Sequence, residues 1–134
     1  MIELVLSKIK VDEKRHEQLL VFKVQGETRY LPLVIGIAEI NSIKLNLSGV
    51  KPPRPMTHDL LVNILEGLGA RLEKVVIDKI EKNTFYAKLF ILKEGGNRII
   101  MDARPSDSVA IALRCGVPIF AKQDVLNAAS VAEV

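Results

Sequence analysis

The spacing of the apolar residues changes at Gly36, and that change constrains the fold more than any other feature of the chain. Before it, residues alternate at period 2. Ile2, Leu4 and Leu6 stand against Glu3, Val5 and Ser7 in a run reaching about Val11, and Leu20, Phe22 and Val24 stand against Leu19, Val21 and Lys23 within 18–25. A third run covers 29–35. Alternation of this kind predicts three strands, with a polar turn at 12–16 and a tight hairpin at Gly26-Glu27. Pro32 cannot donate a ladder hydrogen bond, which puts the third strand at a sheet edge or gives it a bulge. After Gly36, Ile37, Ile40, Ile43 and Leu47 recur at helical spacing, and Gly49 stops the helix.

The three prolines of Lys51-Pro52-Pro53-Arg54-Pro55 hold the chain extended, so this stretch is a loop. Thr57 then reads as the N-cap of a second helix, with Asp59 in its first turn and Leu60, Leu61, Ile64, Leu65 and Leu68 along one face. The layout now repeats. Strands are expected at 72–82, 84–93 and 98–102, a helix at 106–115 closed by Gly116, a short strand at 117–121 and a last helix at 124–131. Both faces of 84–93 are apolar, which predicts a central strand covered on two sides. The expected fold is α+β: a mainly antiparallel sheet with helices packed on it, in one domain spanning 1–134. The recurrence of three strands and two helices suggests an internal duplication with half-repeats 1–69 and 70–134.

Composition removes several alternatives. With 134 residues, 49% hydrophobic and 26% charged, the chain has the apolar content of a single domain with a real core. The longest apolar run, 33–38, is interrupted by Gly36 and falls far short of the roughly 18 residues a membrane span needs. The N-terminal residues read as a strand rather than an export signal. A single cysteine, Cys115, excludes an internal disulfide and favours a reducing cytoplasm. With two histidines, a multi-histidine metal site is excluded within one subunit. Net charge is +3 and aromatic content 4%, without tryptophan. That permits a nucleic-acid partner without requiring one, and supplies little for base stacking.

No phosphate-binding glycine loop, zinc-protease helix or nucleophile elbow is present. What remains are polar residues at helix starts beside prolines: Arg54 to Asp59, Asp102 to Ser108, and Glu39 near the start of the first helix. Free N–H groups at helix starts suit phosphate oxygens, and Arg54 and Arg104 are fitted to fork onto them. Glu39, Asp59, Asp102 and Asp107 offer the oxygen ligands that a hard cation such as Mg²⁺ takes. His58 is suited to proton transfer near neutral pH. Each residue also has a plainer reading. Thr57 and Ser106 serve as N-caps, Asp59 and Asp107 answer the helix dipole, Arg54 and Arg104 pair with those acids, and His58 sits at the surface or caps its helix.

The order of the segments is more distinctive than any one residue. L-P-L-V-I-G-I-A-E-I-N-S-I (31–43), R-P-M-T-H-D-L-L (54–61), T-F-Y-A-K-L (84–89) and D-A-R-P-S-D-S-V-A-I-A-L-R (102–114) together resemble the bifunctional nuclease domain family over roughly 1–130. Ser108 departs mildly from the small residue the family has there. The resemblance implies an α+β fold and hydrolysis of RNA and DNA with low sequence preference. By matching position the site would gather Glu39, His58, Asp59, Asp102, Arg104, Ser106 and Asp107, with Arg54 nearby. The chemistry of these residues suggests catalytic roles for Glu39, His58, Asp59 and Asp107, and phosphate binding by Arg54, Arg104 and Ser106. A divalent metal, Mg²⁺ in the first instance, would be held by Glu39, Asp59, Asp102 and Asp107. The resemblance also implies a homo-oligomer, with a dimer favoured. Separately, surface-facing apolar strand residues such as Leu19 and Val21 are candidates for cover by a partner subunit. The competing expectation is a non-enzymatic module that binds an anion or a protein with the same helix ends.

Overall fold

The computed structural model describes all 134 residues. In chain order it contains β1 (Ile2–Asp12), β2 (Glu17–Val24), β3 (Tyr30–Ile35), α1 (Ile37–Leu47), α2 (Thr57–Gly67), β4 (Ala70–Glu81), β5 (Thr84–Lys93), β6 (Arg98–Ala103), α3 (Pro105–Cys115), β7 (Ile119–Ala121) and α4 (Gln123–Ala129). The strands form a single sheet in the order β3-β2-β1-β7-β4-β5-β6. Every pairing is antiparallel except β4 with β7. The fold is therefore α+β, with four helices packed on a mainly antiparallel sheet.

Two meanders, β1-β2-β3 and β4-β5-β6, lie on either side of β7. That strand pairs Ile2 with Ala121 on one flank and Val75 with Ile119 on the other. β3 is an edge strand, as Pro32 requires, with Pro32 opposite Val21. The β4–β5 hairpin turns through Lys82 and Asn83, both at positive φ (50° and 62°), which matches the right-handed twist of the flanking strands. One core of 22 buried residues runs through the molecule. It joins Leu20, Phe22 and Leu33 of the first meander, Val75, Ile77 and Leu89 of the second, and the helix residues Ile40, Ile43, Val109, Ile111 and Leu126. α1 packs on α3, and α2 packs on α3 and β4. No helix is long and apolar enough to cross a membrane.

Three expectations are corrected. β5 is central but covered on one face: Ala87, Leu89 and Ile91 are buried, while Tyr86, Lys88 and Phe90 are half-buried. Lysines from β4 cover the aromatic faces on that side, Lys74 over Phe90 at 4.7 Å and Lys79 over Tyr86 at 4.4 Å, so no second layer is needed. Most of the expected apolar face of α2 turns outward, leaving Leu60, Leu61, Ile64 and Leu68 exposed; Leu65 packs on the core with Val62, and the helix's buried residue is His58. Val21 is fully buried within the chain and Leu19 half-buried, so β2 does not supply the exposed surface expected of it.

Candidate active site

The local structure that builds the site begins at helix starts. Gly36 is the N-cap of α1, and the Glu39 carboxylate folds back over it, so closely that a Cβ at position 36 would lie 2.6 Å from Glu39 Oε2. At α2 the N-cap position belongs to Met56 rather than Thr57. Asp59 closes that end by accepting a hydrogen bond from the Met56 N–H at 3.0 Å. At α3 the N-cap position is Arg104, followed by Pro105 in the first turn, where its missing N–H costs nothing. Ser106 therefore lies inside the helix and is buried, although its edge still lines a cleft.

Packing of α1, α2 and α3 against one another brings these ends together. His58 is only 7% exposed and both of its ring nitrogens are engaged. Nδ1 lies 2.7 Å from Ser42 Oγ on α1, and Nε2 lies 3.0 Å from Asp107 Oδ1 on α3. Asp107 Oδ2 accepts from Arg104 Nε at 2.9 Å, and Arg104 Nη2 donates to Glu39 Oε1 at 2.9 Å. On the other side of Ser42 lies Arg114, buried on α3. It donates to Ser42 Oγ at 3.1 Å, to the Ala110 carbonyl at 3.1 Å and to Asp59 Oδ1 at 2.7 Å.

The direction of this chain follows from what each group can do. Arg114 can only donate, so the Ser42 oxygen accepts from it and its hydrogen is free for His58 Nδ1. In the neutral ring Nε2 then carries the proton and donates to Asp107. Burial works to raise the Asp107 pKa, but hydrogen bonds from His58 and Arg104 outweigh it and hold the carboxyl below its ordinary value of 3.8. Asp59 is also held below 3.8, first by Arg114 and then by the Met56 N–H. The Arg104 guanidinium is held above its usual range, chiefly by its hydrogen bond to Asp107.

Two clefts flank the network. One, of about 350 Å³, is lined by Glu39, Arg104, Ser106, Asn83 and Phe85, between the end of β3, the β4–β5 turn and the start of α3. The other, of about 510 Å³, is lined by Asn46, Lys51, Pro53, Asp59, Asn63 and Arg114. Arg104 leans into the first with its side chain 67% exposed, and its Nη1 makes no hydrogen bond within the chain.

The structure thus joins Glu39, His58, Arg104 and Asp107 in one hydrogen-bonded run, with Asp59 linked to it through Arg114 and Ser42. Two predicted residues stand apart. Arg54 is exposed and pairs with no acid, and Asp102 is bonded to Lys88 at 3.0 Å on β5. His58 is neither at the surface nor a cap, because α1 and α3 close over it. As arranged, the four carboxylates do not fit a divalent cation: three hold guanidinium groups, the fourth holds an ammonium, and no three acid, histidine or cysteine side chains gather. Ser42 and Arg114 are the members sequence reasoning missed. An arginine directly after the apolar run Val109–Leu113 was the available signal, but a dipole contact accounts for it equally well.

The model of the family described as "Bifunctional nuclease domain" matches residues 20–133. The chain is 43% identical over 118 residues to an uncharacterized protein of Mycobacterium tuberculosis, covering 88% of this chain and 70% of that one. It is 30% identical over 112 residues to a protein named bifunctional nuclease 1 from Oryza sativa subsp. japonica, covering 81% of this chain and 33% of the plant protein. A bifunctional nuclease 1 from Arabidopsis thaliana is 27% identical, over 81% of this chain and 34% of its own. The chain therefore spans about a third of those plant relatives. With 31–43, 54–61 and 102–114 folded onto one network and the family model covering most of the sequence, this chain belongs to the bifunctional nuclease domain family.

Proposed function

We propose that this protein hydrolyses phosphodiester bonds of RNA and DNA at the cleft between Glu39 and Arg104, with little base preference, in a reducing cytoplasm. The observation that carries the reading is Arg104: a guanidinium fixed on one edge by Glu39 and Asp107, with Nη1 and most of its surface facing a cleft. A fixed guanidinium with a free edge suits a phosphate oxygen and the charge that grows on it in the transition state. Glu39, at the same cleft, is placed to take a proton from an attacking water. Asp107 and His58 act one step back: Asp107 orients Arg104, and His58, held by Ser42 and Arg114, orients Asp107. Contacts of this kind read phosphate and sugar, which carry no base information.

The test is hydrolysis of end-labelled single-stranded RNA and DNA by purified protein, with added Mg²⁺ and with EDTA in parallel. Glu39→Gln and Arg104→Ala are each expected to lower kcat by about a hundredfold or more. Equal activity in both variants would identify a contaminating nuclease. Dependence on Mg²⁺ would require Arg104 to release Glu39 and Asp107, so that both arginine and metal could not hold the same acids at once.

One observation favours a second reading. Every acid of the network already holds a guanidinium, so the site is electrostatically complete without a substrate. In that case the cleft binds an anionic ligand without chemistry. Fluorescence anisotropy would show RNA binding that Arg104→Ala abolishes, with no product formed.

A further inference from the structure

The two edges of the sheet are finished differently. β3 carries Pro32, and its first residue is tied to the C-terminal segment, Tyr30 and Val131 exchanging both main-chain bonds at 2.8 Å. β6 has no proline, no lysine and no bulge in its pairing with β5, and Arg98 to Asp102 are all exposed. Ile99, Ile100 and Met101 stand 38%, 57% and 48% open. Folded chains ordinarily blunt or cover a flat apolar edge of this kind.

The register of β6 indicates what covers it. It pairs with β5 as Leu92–Arg98, Ile91–Ile99 and Phe90–Ile100, and the hairpin closes with the Lys93 N–H donating to the Asn97 carbonyl at 2.7 Å. Bonded and non-bonded positions alternate along an antiparallel ladder. Asn97, Ile99 and Met101 therefore turn their main-chain groups toward β5, while Arg98, Ile100 and Asp102 turn theirs to the open edge.

A second copy laid antiparallel with Ile100 opposite Ile100 satisfies all three outward residues. Each facing pair exchanges two N–H···O=C bonds, about six in all. In that register Arg98 meets Asp102 of the second copy at one end, and Asp102 meets Arg98 at the other. On the opposite face, the one carrying Leu89 and Ile91, Ile99 meets Met101. The charges continue inward, because Arg98 is already bonded to Glu73 at 2.7 Å and Asp102 to Lys88 at 3.0 Å. The row from Glu73 through Arg98 to Asp102 and Lys88 of the second copy alternates in sign throughout. A slip of two residues either way loses one of the three pairs and both unlike-charge matches.

We propose that β6 is the interface of a two-fold homodimer in which the sheet of one chain continues into the next. The interface is isologous, as a two-fold axis through Ile100 requires, and it does not depend on the nuclease reading. Sedimentation velocity of the full chain across a micromolar range is expected to give a dimer. Asp102→Arg and Arg98→Asp, each creating two like-charge contacts across the axis, are expected to weaken it by roughly tenfold or more. Mixing these two variants restores unlike charges at both ends, so a heterodimer should form where neither homodimer does. Circular dichroism spectra unchanged from the parent separate lost pairing from lost folding. If the variants misfold, hydrogen exchange on the parent decides: the amides of Arg98, Ile100 and Asp102 should slow as concentration rises, with Ile99 and Met101 slow throughout. A chain monomeric across the range, exchange at those three amides independent of concentration, or a dimer untouched by both variants and broken by Ile64→Lys on α2 would each overturn the proposal.

Discussion

Arg114 and Lys88 both carry a carboxylate partner, yet their surroundings make the two pairs unequal. Arg114 is 6% exposed, and Asp59 is its sole carboxylate, at 2.7 Å. Removing that acid leaves a buried guanidinium with only neutral partners. Asp59→Ala is expected to lower unfolding free energy by about 2 kcal/mol in urea titration, less than for a fully interior pair because Asp59 itself meets solvent. Asp102 is bonded to Lys88 in the open, and Asp102→Ala should leave the monomer's unfolding curve where it was. The sequence presents both acids alike, each within a few residues of an Arg-Pro pair. What separates them is the burial of the cation opposite, and for Asp59 that cation lies 55 residues away. Separation along the chain also hid Ser42, which lies 72 residues from Arg114. A serine between Asn41 and Ile43 has no local mark of function, and its role exists because α3 brings Arg114 to one side of it and α2 brings His58 to the other.

The elements themselves were largely legible. All six long strands were located, several by period-2 alternation; Pro32 put β3 at an edge, and the period change at Gly36 located α1 within a residue. Direction was not legible. The leucines of α2 share one face at helical spacing, but spacing says that a face exists and not where it points. Here most of it points outward, while His58, Val62 and Leu65 point inward. Gly36 shows how tightly one element start is coupled to the cleft. Its φ of −65° suits any residue, so alanine there introduces no backbone strain. Its Cβ would instead press on Glu39 Oε2, the far end of a flexible side chain that can swing away. Gly36→Ala is therefore expected to unfold within about 0.5 kcal/mol of the parent while losing the Glu39–Arg104 contact. Comparing its melting curve with its hydrolysis rate separates the two effects: a large drop in stability, or full activity, would mean that Glu39 is not held as described.

Across the whole molecule, the network stitches together parts that are distant in the chain. Glu39, Ser42, His58 and Asp59 come from α1 and α2, and Arg104, Asp107 and Arg114 from the start and end of α3. Asp59 and Asp107 titrate lower in the fold than their ordinary 3.8, so the folded chain binds fewer protons than the unfolded one near that pH. Their stabilisation is present above pH 3.8 and is lost as pH falls to and through the lower folded values. Acid unfolding of Asp107→Asn should accordingly be shallower than that of the parent, with the curves converging at low pH. An identical acid limb would show that Asp107 carries no such linkage.

The sheet gives this stitching a mechanical meaning. β7 contributes only three residues between two long meanders, a narrow seam across which little backbone resists shear. The helices on top act as the rivets, and their charged heads are the very groups offered to the cleft. Loosening those rivets, by acid or by a competing anion, would let the meanders slide against each other along the seam. In such a frame a cleft closed on its own charges and a taut molecule are the same event.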